Sequence, residues 1–216
     1  MNIKDYPNVT LLDHPLIKHK ISHLRMKETP TSEFRQFVKE IAMMEGFEAL
    51  RHLRTVPTLV HTPIEDSVEP IVEGSKLCFV PILRAGMGMV DGMTALVPTA
   101  HVGHIGLYRD EVTHEPHEYY CKLPEGLENM DIYVLDPMLA TGGSAIDAIK
   151  MLRSHGAKKL SFICIIAAPE GVEAFEKANP EVPLYIGALD RELNKNAYIC
   201  PGLGDAGDRI FGTMKK

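Results

Sequence analysis

Ile132-Tyr-Val-Leu-Asp136-Pro-Met-Leu-Ala-Thr141-Gly-Gly-Ser144 runs from a short apolar strand through a strand-end aspartate and a Thr-Gly-Gly-Ser turn into a helix. A turn of this kind aims successive backbone N–H groups, hydroxyls and a helix N-terminus at one point, which makes an anion site suited to phosphate. Asp136 at the lip adds a carboxylate able to hold ribose hydroxyls or a metal, so the favoured ligand is a phosphorylated sugar. Ser144 and Asp147, three apart, resemble a capping box, and Gly156 is a fitting helix stop. No Gly-Lys-Ser/Thr follows, which disfavours ATP or GTP hydrolysis, and no G-x-G-x-x-G is present, which disfavours a dinucleotide.

Outward from this stretch the chain alternates apolar runs with helical patterns. Strands are expected at Leu77–Val80, Val102–Leu107, Ile132–Leu135, Leu160–Ala167 and Leu184–Leu189, and helices at Met87–Leu96, Ser144–His155 and Gly171–Ala178. Such alternation predicts an α/β fold with a parallel central sheet flanked by helices. Ligands then bind beyond the carboxyl ends of the strands. Upstream, residues 1–30 read as an irregular lead-in with a short helix around Leu16–Met26. Phe34, Phe37, Val38, Ile41 and Met44 mark one buried face of a helix running from Pro30 to about Arg54. Thr55–Thr62 is strand-like, and the acidic, proline-punctuated Pro63–Gly74 reads as a hairpin or loop excursion.

The length of 216 residues suits a single domain with a real core. A formal net charge of −6 argues against nucleic acid as the main partner, and the Lys158-Lys159 and Lys215-Lys216 pairs are too short to offset it. There is no apolar run near the length of a membrane span, and Met-Asn-Ile-Lys-Asp-Tyr-Pro at the start lacks a signal-peptide core, so no membrane partner and a cytoplasmic location are expected. Cys78, Cys121, Cys164 and Cys200 lie far apart without a C-x-x-C; Cys78 and Cys164 sit in apolar runs and read as buried thiols. His101/His104 and His114/His117 are each three apart, without a third ligand at metal-binding spacing.

Three further segments carry chemistry. Pro81-Ile-Leu-Arg84-Ala-Gly86-Met-Gly88 brings an arginine and paired glycines to a strand end, where backbone can approach an anion. Leu107-Tyr-Arg109-Asp-Glu111 leads into a long polar stretch ending at Pro124, which suits an active-site lid or a protruding hairpin used for oligomer contact. Tyr198-Ile-Cys-Pro201-Gly-Leu-Gly204-Asp205-Ala-Gly-Asp208-Arg-Ile-Phe-Gly212 is dense in glycine, so that main-chain donors and acceptors can press against a flat ligand. A planar imide presents acceptor, donor and acceptor along one edge, a pattern that backbone matches without a charged side chain.

Taken in order, Pro81–Gly92, Tyr119-Tyr-Cys-Lys-Leu-Pro124, Leu135–Ser144 and Pro201–Thr213 resemble the uracil phosphoribosyltransferase family over nearly the whole chain. The resemblance implies the type I phosphoribosyltransferase fold with a small hood, formed here by residues 190–216. It implies transfer of the 5-phosphoribosyl group from phosphoribosyl diphosphate to uracil, giving UMP and diphosphate in pyrimidine salvage. By position, Asp136, Pro137, Met138, Leu139, Ala140, Thr141, Gly142, Gly143 and Ser144 would cradle the 5′-phosphate and ribose, and Arg84 and Arg109 would hold the diphosphate. Ile199, Gly204, Asp205 and Ala206 would read uracil through their main chain, with Asp205 also touching the donor. Magnesium is implied on the diphosphate and ribose oxygens, carried mainly by the substrate; a GTP effector, as in some relatives, is also implied. The long lead-in and the hairpin-like excursions point to a homo-oligomer, dimer or tetramer.

Arg84, Arg109 and Asp205 are then the catalytic candidates. No general base stands out, and Asp205 is the nearest. Pro137, where most phosphoribosyltransferases carry a second acid, is shared by uracil-specific members. Ala197 stands where a glycine is expected, which predicts a small local backbone shift. Two rivals remain: a phosphoribosyl-diphosphate-sensing, RNA-binding regulator of the same fold, which would need a basic face, and a transferase for another base such as a purine.

Overall fold

The computed structural model describes residues 5–109 and 116–213, without the side chains of Arg109, Pro116 and His117. The chain runs β1 (Val9–Leu11), α1 (Pro15–Arg25), α2 (Thr31–Ala49), β2 (Thr55–His61), β3 (Asp66–Val72), β4 (Leu77–Leu83), α3 (Met87–Leu96), β5 (His101–Val102), β6 (His104–Arg109) and β7 (Pro116–Lys122). It continues β8 (Asp131–Leu135), β9 (Met138–Leu139), α4 (Gly143–Ser154), β10 (Lys159–Ala167), α5 (Pro169–Ala178), β11 (Leu184–Leu189), β12 (Glu192–Leu193), β13 (Ile199–Cys200) and α6 (Ala206–Phe211).

The central sheet has the order β1-β11-β10-β8-β4-β6-β7, with β5 on β4 and β9 on β10. Its pairings are parallel except β6–β7. Continuous apolar strands such as Leu77-Cys-Phe-Val-Pro-Ile-Leu83, buried through Ile82, are what a sheet covered on both faces requires. Pro81 contributes no N–H to a ladder and falls where the neighbouring strand is broken between β5 and β6 at Gly103. One face is packed by α1, α2, α3 and α6 through Leu24, Phe34, Ile41, Met89, Met93 and Ile210. The other is packed by α4 and α5 through Ile149, Leu152, Val172 and Phe175 onto Val134, Phe162 and Cys164. Cys78 and Cys164 are buried thiols, as their apolar surroundings predicted.

The structure departs from the sequence expectations in the lead-in and at the end of α2, and it forms antiparallel pairs at both expected excursions. The lead-in is not wholly irregular: Val9–Leu11 adds a parallel edge strand to β11, too short to announce itself by periodicity. Helix α2 stops at Ala49 rather than Arg54, because a Leu53 N–H to Leu50 carbonyl turn (3.1 Å) swings the chain into β2. The Pro63–Gly74 excursion resolves into β3, paired antiparallel with β2 over Thr55↔Val72 to His61↔Asp66. Within the polar stretch after Arg109, β7 pairs antiparallel with β6, as the hairpin reading expects; residues 110–115, with Asp110, Glu111 and His114, lie outside the described residues, as do Lys215 and Lys216. Among the described residues no helix is long and apolar enough to cross a membrane.

Candidate active site

At the carboxyl end of β8 the chain passes Asp136 and Pro137, forms the two-residue β9 beside β10, and enters α4 through Ala140, Thr141 and Gly142. Gly142 is the N-cap with φ +83°, and a Cβ there would stand 2.9 Å from the Gly171 carbonyl, so both conformation and space call for glycine. The capping box expected from Ser144 and Asp147 does not form, because the N-cap falls on Gly142, two residues earlier, and Ser144 lies inside the first turn of the helix. The cap supplies no side-chain acceptor. The Gly143 N–H donates to Thr141 Oγ1 at 3.4 Å, while Ser144 and Ala145, also in the first turn, line the cleft at the positive end of this twelve-residue helix. Thr141 and Ser144 are exposed there.

Asp136 sits part-buried at the base of this turn, its Oδ1 accepting the Met138 N–H at 3.3 Å. Loss of hydration pushes its carboxyl up to about 7, against the smaller opposing pull of that N–H.

Across the cleft, β4 ends at a Leu83–Arg84 cis peptide, and Gly86 lets the turn lie against β8: a Cβ would meet the Leu135 carbonyl at 2.3 Å. Arg84 projects outward with its Nη2 3.5 Å from Asp208 Oδ1 and its guanidinium 5.7 Å from the Phe211 ring centre. The third wall is the C-terminal segment. After the Cys200–Pro201 cis bond, Gly202 and Gly204 take φ of +65° and +80°, and Asp205 caps α6 by accepting the Asp208 N–H at 2.8 Å.

These three segments line one cleft of about 340 Å³. It gathers Arg84, Asp136, every residue from Met138 to Ser144, and Asp205. Pro137, Gly204 and Ala206 flank it in the chain without lining it, and Ile199 lies buried one step back, on β13. Arg109 ends β6; its side chain lies outside the described residues.

Several supporting residues carry roles that no motif assigns, although Gly207 and Arg209 stand within the Pro201–Thr213 segment. Asp190, buried at the end of β11, pairs with Arg25 of α1 (Nη1 to Oδ2, 2.7 Å) and accepts the Gly202 N–H at 2.8 Å. Arg25 also donates to the Gly202 carbonyl at 2.8 Å, so two residues 165 positions apart clamp the glycine-rich segment. Arg209 is buried over the Phe34 ring (4.3 Å) and donates to the carbonyls of Leu24, Met26 and Leu203. Gly207 lines the cleft next to Asp205. Only the glycine density around Gly202–Gly207 hinted at any of this. Ala197 takes φ +60°, alone in positive φ among the described non-glycine residues. The β12–β13 loop thus holds a glycine-type backbone with alanine in it.

A sequence model described as uracil phosphoribosyltransferase matches residues 11–213. The chain belongs to the uracil phosphoribosyltransferase family. It is 56% identical over 206 residues to a uracil phosphoribosyltransferase of Lachnoclostridium phytofermentans, covering 95% of this chain and 99% of that one. A relative of the same description in Streptococcus pneumoniae is 54% identical, with 95% and 98% covered. Among solved structures, an Aquifex aeolicus protein superposes with a TM-score of 0.91 at 39% identity, over 96% of this chain and all of that one. An adenine phosphoribosyltransferase of Trypanosoma brucei shares the fold at a TM-score of 0.57 and 11% identity, over 85% and 84% of the two chains. The type I phosphoribosyltransferase architecture, a mostly parallel sheet with helices on both faces, is thus established for this family member.

Proposed function

We propose that the chain, acting as one catalytic domain, transfers the 5-phosphoribosyl group from phosphoribosyl diphosphate to N1 of uracil, giving UMP and diphosphate in pyrimidine salvage. The observation that carries this reading is the single cleft in which an open helix N-terminus, a strand-end carboxyl, an arginine turn and Asp205 converge. The 5′-phosphate takes the α4 N-terminus and the hydroxyls of Thr141 and Ser144, and Asp136 accepts from the ribose hydroxyls. Arg84 and Arg109 hold the diphosphate, where negative charge grows as the anomeric C–O bond breaks. Uracil lies against the main chain of Ile199, Gly204, Asp205 and Ala206, which sets N1 in line with the anomeric carbon. Asp205 is the nearest group to accept a proton, while main-chain donors stabilise a uracil anion.

Among the described residues the cleft walls offer carboxylates and hydroxyls and no thiol or imidazole, a donor set that fits Mg2+ carried by the donor's diphosphate and ribose oxygens. When bound, the ion neutralises leaving-group charge. The β2–β3 hairpin exposes Leu59, Ile64, Val68 and Ile71, which supports assembly into a homo-oligomer, dimer or tetramer. A GTP effector and a cytoplasmic site of action complete the reading and rest on the family resemblance; the rate measured with and without GTP tests the first.

Protein, Mg2+, phosphoribosyl diphosphate and uracil are mixed, and UMP and diphosphate are followed. Production of both in equal amounts is expected, with cytosine rejected because its N4 donors and N3 acceptor mismatch the imide-reading backbone. Absence of UMP, or equal use of adenine or hypoxanthine, overturns the reading.

A further inference from the structure

Away from the cleft, β7 and the C-terminal end of α4 bring Glu118, Cys121 and His155 together, with one ligand atom from each lying within 4.8 Å of the others. These residues line a separate surface cavity of about 540 Å³ that shares no residue with the catalytic cleft. Three features make the cluster a candidate binding site. First, the donors differ in kind: a thiol, an imidazole and a carboxylate, the mixture that borderline divalent cations accept and Mg2+ does not. Second, the imidazole is already oriented. His155 Nδ1 lies 3.0 Å from the Met151 carbonyl, an acceptor only, so Nδ1 carries the proton and Nε2 presents its lone pair. That Nε2 stands 3.8 Å from Cys121 Sγ, against about 3.6 Å for sulfur and nitrogen on one tetrahedral zinc. Third, the local field favours a cation. His155 is the C-cap of α4, at the negative end of the helix, and Glu125 and Glu128 share the cavity with Glu118, opposed by Lys122.

We propose that Glu118, Cys121 and His155 form a binding site for a borderline divalent cation of the zinc class, with a fourth position open to solvent. The Cys121 S–H gives its proton to solvent, and the thiolate, His155 Nε2 and a Glu118 oxygen take the ion. The bound ion ties β7, the outer strand of the β6–β7 hairpin, to the body of the domain. The site is independent of the proposed transfer reaction.

Co2+ is titrated into the EDTA-stripped protein at neutral pH, followed by absorbance and proton release, and then displaced by Zn2+. One Co2+ per chain is expected, with a thiolate-to-cobalt charge-transfer band, the intense visible bands of a four-coordinate ion, and release of about one proton per ion. Zn2+ abolishes both bands. Cys121→Ser should remove the charge-transfer band, while His155→Ala and Glu118→Gln each weaken binding at least tenfold. Cys200→Ser should leave the spectrum unchanged. All three ligands lie at the surface or half-buried, and unchanged melting of the variants in EDTA keeps misfolding apart from ligand loss. No charge-transfer band, a band that survives Cys121→Ser, or binding indifferent to His155→Ala overturns the proposal.

Discussion

The two ends of the cleft are built in opposite ways. The end proposed for the phosphate is a continuous piece of chain, from Asp136 to the first turn of α4, whose shape follows from neighbours in sequence: the hydrogen bond from the Met138 N–H to Asp136, the left-handed Gly142, and the N–H groups of the next helix. The end proposed for the base is assembled from afar. Gly202 is held by Asp190 and Arg25, and the α6 segment is anchored by Arg209 to carbonyls of α1's last turn and the residue after it. A locally encoded site tolerates change elsewhere in the domain. One clamped by a distant ion pair and a buried arginine ties the proposed base recognition to global stability.

Breaking the base-end clamp should have the largest effect. Asp190→Ala leaves Arg25 without its carboxylate and the Gly202 N–H without an acceptor, and should cost ~3–5 kcal/mol in a urea melt. The surviving folded enzyme should show a raised KM for uracil with little change in KM for phosphoribosyl diphosphate. The reciprocal perturbation is Gly142→Ala. It forces a side chain into left-handed backbone facing the Gly171 carbonyl, for about 1–3 kcal/mol of stability and a donor KM raised more than the uracil KM. If the two variants move the same KM, the division of the cleft fails.

A pH series sharpens the phosphate end further. Burial raises Asp136 above its ordinary value of 3.8 to about 7, so folding favours its neutral form. Its contribution to stability is present in full below about pH 4 and is lost as pH rises through about 7. Asp136→Asn should remove that part of the slope in melts across this window. In the wild type, donor KM should fall as pH rises through 7, because the ionised carboxylate is the better acceptor for ribose hydroxyls; in Asp136→Asn it should stay flat. The smallest effect belongs to the β12–β13 loop. Ala197→Gly relieves a left-handed alanine at φ +60° and should stabilise by ~0.5–1 kcal/mol, net of the extra freedom glycine brings to the unfolded chain.

This contrast also decides what could be read from sequence. The helices Met87–Leu96 and Ser144–His155, the strands at Ile132–Leu135, Leu160–Ala167 and Leu184–Leu189 and the Thr-Gly-Gly-Ser turn are local patterns of period and turn chemistry, and they stand where the sequence puts them to within one residue. Strand β4 runs three residues past the expected end at Val80, and the strand expected at Val102–Leu107 breaks at Gly103 into β5 and β6. The short strands β1, β9, β12 and β13 carry two or three residues each, too few for periodicity to register. Helix α6 was hidden because its residues read as a glycine-rich loop, although Asp205 caps it in the ordinary way. Asp190, Arg25 and Arg209 could not be singled out at all. Their roles come from pairings across more than 160 positions, which no spacing rule in a single sequence reveals.

A crystal structure with UMP and diphosphate decides whether one cleft holds a sugar phosphate and a flat pyrimidine side by side. The 5′-phosphate is expected on the N–H groups and hydroxyls of Thr141–Ser144, diphosphate beside Arg84, and the uracil edge hydrogen-bonded to main chain between Ile199 and Ala206. A nucleotide bound with its base turned away from that segment, or its phosphate away from the α4 N-terminus, contradicts that placement.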